Sequence, residues 1–99
     1  MLNLIHTIVF DFDGVFTDNY VYTDSSGSEI VRTSRSDSYG LSNYFKFCEL
    51  NNLSIDSFIL STETNEVVAK RASKLNLKAH LGTKDKRRFL EQYLLERNL

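Results

Sequence analysis

The 99-residue sequence has a single cysteine, Cys48, and no proline. One cysteine excludes a disulfide framework and any zinc site built from several cysteines, and it fits a reducing compartment. Without proline there is no proline-rich linker, and no repeat or low-complexity segment interrupts the chain. No run approaches the ~20 apolar residues that a membrane span requires. The first apolar run has no basic residue before it and ends in two aspartates, which argues against a secretory signal. The expectation is a cytoplasmic protein that engages no membrane. With 41% apolar and 25% charged residues the chain is globular in composition. Its length suits one small domain over residues 1–99, which would bury about two-thirds of the unfolded surface.

Positive charge is scarce in the first two-thirds of the chain. Residues 1–66 hold three basic side chains against ten acidic ones, and residues 67–99 hold nine against three, so balances of −7 and +6 sum to −1. A basic segment raises the question of nucleic acid. Here the basic residues stand at helical spacing among apolar ones, with no interleaved aromatic platform for bases, so solvated helix faces are expected and no nucleic-acid partner.

Leu4 to Phe12 is apolar and β-branched enough for a buried strand, and it runs into Asp13-Gly14, a loop signal. Residues 19–34 form a hairpin pattern, two alternating arms about a glycine-containing turn. From Ser38 to Leu50 the residues Leu41, Tyr44, Phe45 and Cys48 follow helical spacing, with Asp37 as a candidate N-cap. Ile55 to Leu60 reads as a second buried strand, followed by a helix over 65–76. A short strand over 77–81 and a helix from Thr83 complete the pattern. Strands alternating with helices indicate an α/β domain with a parallel sheet and flanking helices. In such sheets ligands gather at the carboxyl ends of the strands. Asp11 to Asp18, Ser61-Thr62 and the segment from Gly82 onward are therefore expected to converge.

Asp11 and Asp13, two residues apart at the end of an apolar strand, are awkwardly placed charges. Each would disfavour ionisation of the other unless a cation or hydrogen-bond donors compensate. A loop whose aspartates cap backbone N–H groups explains Asp-Gly alone, but not the whole string Asp11-Phe-Asp-Gly-Val-Phe-Thr-Asp18. That string, after its strand, resembles the D-x-D-G-x-x-[ST] motif of the haloacid-dehalogenase-like (HAD) phosphatases. It is most similar to the capless group acting on phosphorylated sugar acids. That group includes 3-deoxy-octulosonate 8-phosphate phosphatases and the phosphatase-like domains of acylneuraminate cytidylyltransferases. Arg35-Ser-Asp-Ser-Tyr-Gly40-Leu resembles the group's R-S-D-G-x-G-[IL] segment, with Ser38 in place of a glycine. Ile59 to Asn65 is similar to its second motif, and Gly82 to Lys86 to its third. The likeness runs from about Thr7 to Leu94.

The resemblance implies a Rossmann-like HAD fold and a division of labour. Asp11 would be the nucleophile, forming an aspartyl-phosphate. Asp13 would protonate the leaving alcohol and later deprotonate the attacking water. Lys86 would neutralise charge on the nucleophile and on the transferring group. Ser61, Thr62, Gly14 and Lys86 would bind phosphate, and Arg35 and Asp37 would face the substrate. Mg²⁺ would sit on Asp11 and the backbone carbonyl of Asp13. The substrate would be a phosphorylated keto-sugar acid of eight or nine carbons. The hairpin, too short for a cap domain, would help to build a homo-oligomer, a tetramer in the group resembled. Elsewhere, His6 reads as a core histidine within the first strand, Cys48 as a small buried hydrophobe, and Tyr20 and Tyr22 as cover for a hairpin face.

The family also carries a fourth motif, an acidic G-D-D-x-x-[DN] loop after a further strand, and no such run occurs among these residues. The expectation is a chain truncated at its C-terminus, whose first strand forms an exposed edge. The alternatives are completion by another chain, or a catalytically silent oligomerisation or interaction module linked to nucleotide-sugar (sialic acid-type) synthesis. A third reading is a phosphotransferase-type domain with Asp11 phosphorylated by a donor.

Overall fold

The structure, a computed structural model, describes residues 4–99, so residues 1–3 of the domain expected over 1–99 lie outside the described residues. In chain order the elements are β1 (Thr7–Phe10), β2 (Thr17–Thr23), β3 (Glu29–Thr33), α1 (Arg35–Leu50), β4 (Asp56–Leu60), α2 (Glu66–Lys74), β5 (Lys78–His80) and α3 (Lys86–Glu96). β1, β4 and β5 form a parallel sheet in that order, and β2 and β3 form a separate antiparallel hairpin. The expected α/β architecture is present.

The central strand shows why an unbroken apolar run suits this position. Successive side chains of a strand point to opposite faces, and a parallel strand covered on both faces is apolar throughout. Ile59 joins Phe12, Phe16, Leu41, Val68, Ala72, Leu75 and Leu77 in one buried cluster. Its neighbours Phe58 and Leu60 join Tyr93 in a second, with Phe89, Leu90 and Leu94 of α3 packed against it. Phe58, only 1% exposed, is ringed by His80, Phe89 and Tyr93 at centroid distances of 5.2 to 6.1 Å. Truncating it leaves a cavity that this aromatic cage cannot fill by small shifts. Phe58→Ala is expected to cost about 3–5 kcal/mol, read as a lowered midpoint in urea unfolding at unchanged slope.

α3 is also tied to the sheet by polar groups. Tyr93 donates its hydroxyl to Asp56, and Arg97 lies 3.9 Å from the Tyr93 ring centroid. Burial, reinforced by Asp56, raises the Tyr93 pKa, so the phenol keeps its proton. On the other side, Arg71 of α2 donates to the Ser34 carbonyl (2.8 Å) and the Ser38 hydroxyl (3.2 Å) at the start of α1. Ser38, the departure from the glycine of the motif, thus supplies an acceptor between helices.

Five sequence expectations need correction. β1 is shorter than Leu4–Phe12 because pairing with β4 begins only where Asp56 N–H meets the His6 carbonyl (3.0 Å). His6 therefore precedes the strand and is exposed, not a core residue. β1 is also not buried. Among the described residues it has one neighbour, β4, and its other edge is free, with Val9 38% exposed. At α1 the cap is Ser34, not Asp37: its side chain accepts the Ser36 N–H from an extended backbone, which leaves Asp37 in the first helical turn. At α3 the helix starts at Lys86, capped by Asp85 through the Arg88 N–H (3.0 Å). Residues 82–83 are held out of it by hydrogen bonds to the strand end described below.

Candidate active site

The carboxyl end of the sheet gathers the three segments expected there. Register places Phe10 beside Ile59, so Asp11 and Ser61 leave adjacent strands at nearly the same level. After β1 the chain closes one tight turn, with Phe16 N–H donating to Phe12 O at 2.9 Å. Gly14 lies in this turn with φ of 78°, a left-handed conformation that costs a side-chain-bearing residue about 1–2 kcal/mol. Phe12 and Phe16 point inward and anchor the loop in the core, which leaves Asp11 and Asp13 on its outer side.

Asp11 Oδ1 accepts from Phe12 N–H at 2.8 Å and from Lys86 Nζ at 3.2 Å. The lysine comes from the first turn of α3, and its position is set by two backbone bonds across the strand ends. Thr83 N–H donates to Ser61 O at 2.9 Å, and Gly82 N–H donates to Glu63 O at 3.0 Å. Gly82 also has a left-handed φ of 62°. The Lys86 and Asp11 side chains are 35% and 55% exposed, so their pairing adds at most about 1 kcal/mol to stability.

Asp13 has a different environment. Partial desolvation raises its pKa, Glu63 and then Asp11 add to the rise, and Lys86 opposes it. One carboxylate is thus paired with an ammonium while its neighbour is pushed toward the protonated form. Two carboxyls whose surroundings differ in this way can serve separately as base and acid.

Ser61, 2% exposed, accepts from Glu63 N–H through its hydroxyl (3.0 Å). It therefore shapes the loop after β4 and does not cap α2, whose cap is Asn65 (Val67 N–H, 3.0 Å). Thr62 is exposed beside it. Asp13 lines a depression of about 170 Å³ with Asn19, Tyr20, Glu29, Glu63 and Asn65 among its polar walls. Arg35 and Asp37 line another, about 550 Å³, between the hairpin base and the start of α1, which Asp11, Asp13, Ser61 and Lys86 do not line. No ion pair joins Arg35 to Asp37 among the described residues. Arg32 pairs instead with Asp18 (2.5 Å).

Two participants were not assigned roles from sequence. Glu63 raises the Asp13 pKa and its carboxylate accepts Thr64 and Asn65 N–H (3.0 and 3.1 Å). It lies inside the Ile59–Asn65 string, where its charge beside a strand end was the available signal. Asn19, in the left-handed region at φ 67°, carries no such signal beyond being asparagine. For a metal, oxygen donors are available from Asp11 and Asp13, but no group of three or more His, Cys, Asp or Glu side chains clusters among the described residues.

Solved structures share this fold. A HAD-family hydrolase of Streptomyces avermitilis superposes at a TM-score of 0.80 with 38% identity, over 96% of this chain and 51% of its own. This is the HAD fold. A YrbI-family phosphatase of Pseudomonas syringae gives 0.82 at 29% identity, covering 99% of this chain and 53% of its own. The 3-deoxy-D-manno-octulosonate 8-phosphate phosphatase of Moraxella catarrhalis gives 0.80 at 21% identity over 99% and 53%. That structure was solved with magnesium, phosphate and KDO. The chain thus spans about half the length of each of these neighbours. No family model and no curated protein matches the sequence. None of the described helices is long and apolar enough to cross a membrane.

Proposed function

We propose that this chain is a phosphomonoesterase domain, one unit over residues 1–99, working through an aspartyl-phosphate on Asp11. The observation that carries the reading is the asymmetry of the carboxylate pair: Asp11 is held by Lys86 at 3.2 Å while Asp13 is biased toward its protonated form. In the first step an Asp11 oxygen bonds to phosphorus as the phosphorus–oxygen bond to the alcohol breaks, and Asp13 gives its proton to the departing oxygen. In the second, water attacks phosphorus, Asp13 takes the water proton, and the bond to Asp11 breaks to release inorganic phosphate. Lys86 stays close to the nucleophile through both steps, where positioning and charge neutralisation dominate phosphoryl transfer.

The donor set fits a hard cation. Asp11 and Asp13 offer oxygen donors beside one lysine, and Mg²⁺ keeps several waters when bound by few carboxylates. The carboxylate of Asp11 and the backbone carbonyl of Asp13 would hold it. When bound, Mg²⁺ supplies neutralisation of the phosphoryl oxygens. Ser61, Thr62 and the Gly14 amide would contact the phosphate. A phosphorylated sugar acid is the substrate class, supported by the neighbour solved with KDO and phosphate, and Arg35 and Asp37 would meet the distal part of such a molecule. Tyr20, Tyr22 and Ile30, 76%, 66% and 65% exposed on the hairpin, support a homo-oligomer, taken to be a tetramer. The single cysteine, unpaired and buried, suits a cytoplasmic setting.

The test is phosphate release from a panel of sugar phosphates and sugar-acid phosphates, with Mg²⁺ and with chelator. Chelator-sensitive turnover that prefers sugar acids is expected. The absence of a third acidic ligand among the described residues favours a second reading, a silent interaction module. Stable self-association without turnover, at any Mg²⁺ concentration, would select it.

The acid–base assignment predicts a pH effect. A raised pKa keeps Asp13 protonated to higher pH than an ordinary carboxyl, so the falling limb of kcat/KM against pH lies above the usual carboxylate range. Glu63→Gln removes one of the groups that raises it and should move that limb to lower pH. A limb that stays in place would assign the proton to another group.

A further inference from the structure

Thr17, at the [ST] position of the Asp11–Asp18 string, has no part in the chemistry above, yet it is 8% exposed. Its hydroxyl oxygen accepts two backbone N–H groups, from Gly14 at 3.2 Å and from Asn19 at 3.1 Å. Both donors are left-handed residues, φ 78° and 67°. Gly14 belongs to the turn that bears Asp13. Asn19 sits where the hairpin register shifts between Thr17 and Val21, a bulge of the kind that re-aims side chains beside functional sites. The two residues also approach each other closely: a Cβ on Gly14 would lie 3.7 Å from the Asn19 Cβ. Beyond the bulge, Asn19 and Tyr20 wall the depression that Asp13 lines.

We propose that Thr17 is the positioning residue of this site: its buried hydroxyl locks the Asp13–Gly14 peptide to the bulged start of β2, so that one group sets both the acid–base carboxyl and the Asn19–Tyr20 wall facing it. A left-handed backbone is open to Gly14 and tolerated by Asn19, and the Thr17 oxygen is the acceptor that the two positions share. Removing it leaves two N–H donors to find water, which requires the loop to open. The role in catalysis rests on the phosphatase reading, but the coupling does not.

The experiment therefore uses readouts that need no turnover. Amide hydrogen exchange is followed residue by residue in the unaltered protein, Thr17→Val and Thr17→Ser. Thr17→Val keeps the shape and removes the acceptor. It should speed exchange at Gly14 and Asn19 together by about tenfold, the equivalent of the hydrogen bonding lost, while Phe58 to Leu60 exchange as before. Thr17→Ser, which keeps the hydroxyl, should leave both amides near the rates of the unaltered protein. Unchanged exchange in a folded Thr17→Val would overturn the proposal. So would equal acceleration across β4, which marks general loosening. Should Thr17→Val not fold, the unaltered protein and Thr17→Ser still decide it: Gly14 and Asn19 amides exchanging at unprotected rates, or a Thr17→Ser that loses their protection, would refute the hydroxyl lock.

Discussion

Asp11→Asn should lower phosphate release by at least ~10⁴-fold while the protein stays folded, the scale on which loss of a nucleophile is felt. The two side chains are nearly isosteric, and the amide oxygen can still accept the Phe12 N–H now 2.8 Å from Oδ1. What disappears is the anionic oxygen that bonds to phosphorus. The charge that Lys86 pairs with disappears too, as does one of the groups that raises the Asp13 pKa. Phosphate release from a preferred substrate, compared between the two proteins at equal Mg²⁺, measures the effect. Residual turnover within tenfold would place the nucleophile elsewhere.

Lys86→Met is expected to lose about 10²–10³-fold in kcat, comparable to the removal of one preorganised donor from a developing charge. Stability should change by no more than about 1 kcal/mol, because an exposed lysine–carboxylate pair contributes little. The contrast between the two quantities is the informative part. A methionine preserves most of the stem at the start of α3 and deletes only the ammonium. If kcat and stability fell together, Lys86 would be a strut for the strand ends and not a catalytic cation. Urea unfolding and single-turnover kinetics on one preparation separate these outcomes.

Much of this site was legible because its residues lie on short strings at strand ends. Asp11 and Asp13 stood out as paired charges at a strand end, Lys86 was named only through the resemblance to the HAD motifs, and the fold brings all three together. β4 was legible for a similar reason, since a strand packed on both faces is apolar without interruption. Element ends were less so. Ser34 and Asp37 are both sound N-caps by chemistry, and the structure decides for Ser34, whose side chain accepts the Ser36 N–H. The strand expected over Leu4–Phe12 shortens to Thr7–Phe10 because a strand extends only as far as its partner, and β4 offers none before Asp56. Arg35 and Asp37 line the depression at the hairpin base, which the carboxylates and Lys86 do not line. Thr17 matches the [ST] position of the motif, but what its hydroxyl does was not legible, because its two partners are backbone amides that any sequence supplies.

The central claim is that phosphorus becomes covalently bound to Asp11. An acyl-phosphate is reduced by borohydride to the alcohol, so the protein is mixed with substrate and Mg²⁺, quenched during turnover, reduced and mapped by mass spectrometry. The account predicts homoserine at position 11, absent when substrate is omitted and absent in Asp11→Asn. Robust phosphate release without any modification at Asp11, or with the modification at Asp13, would contradict it.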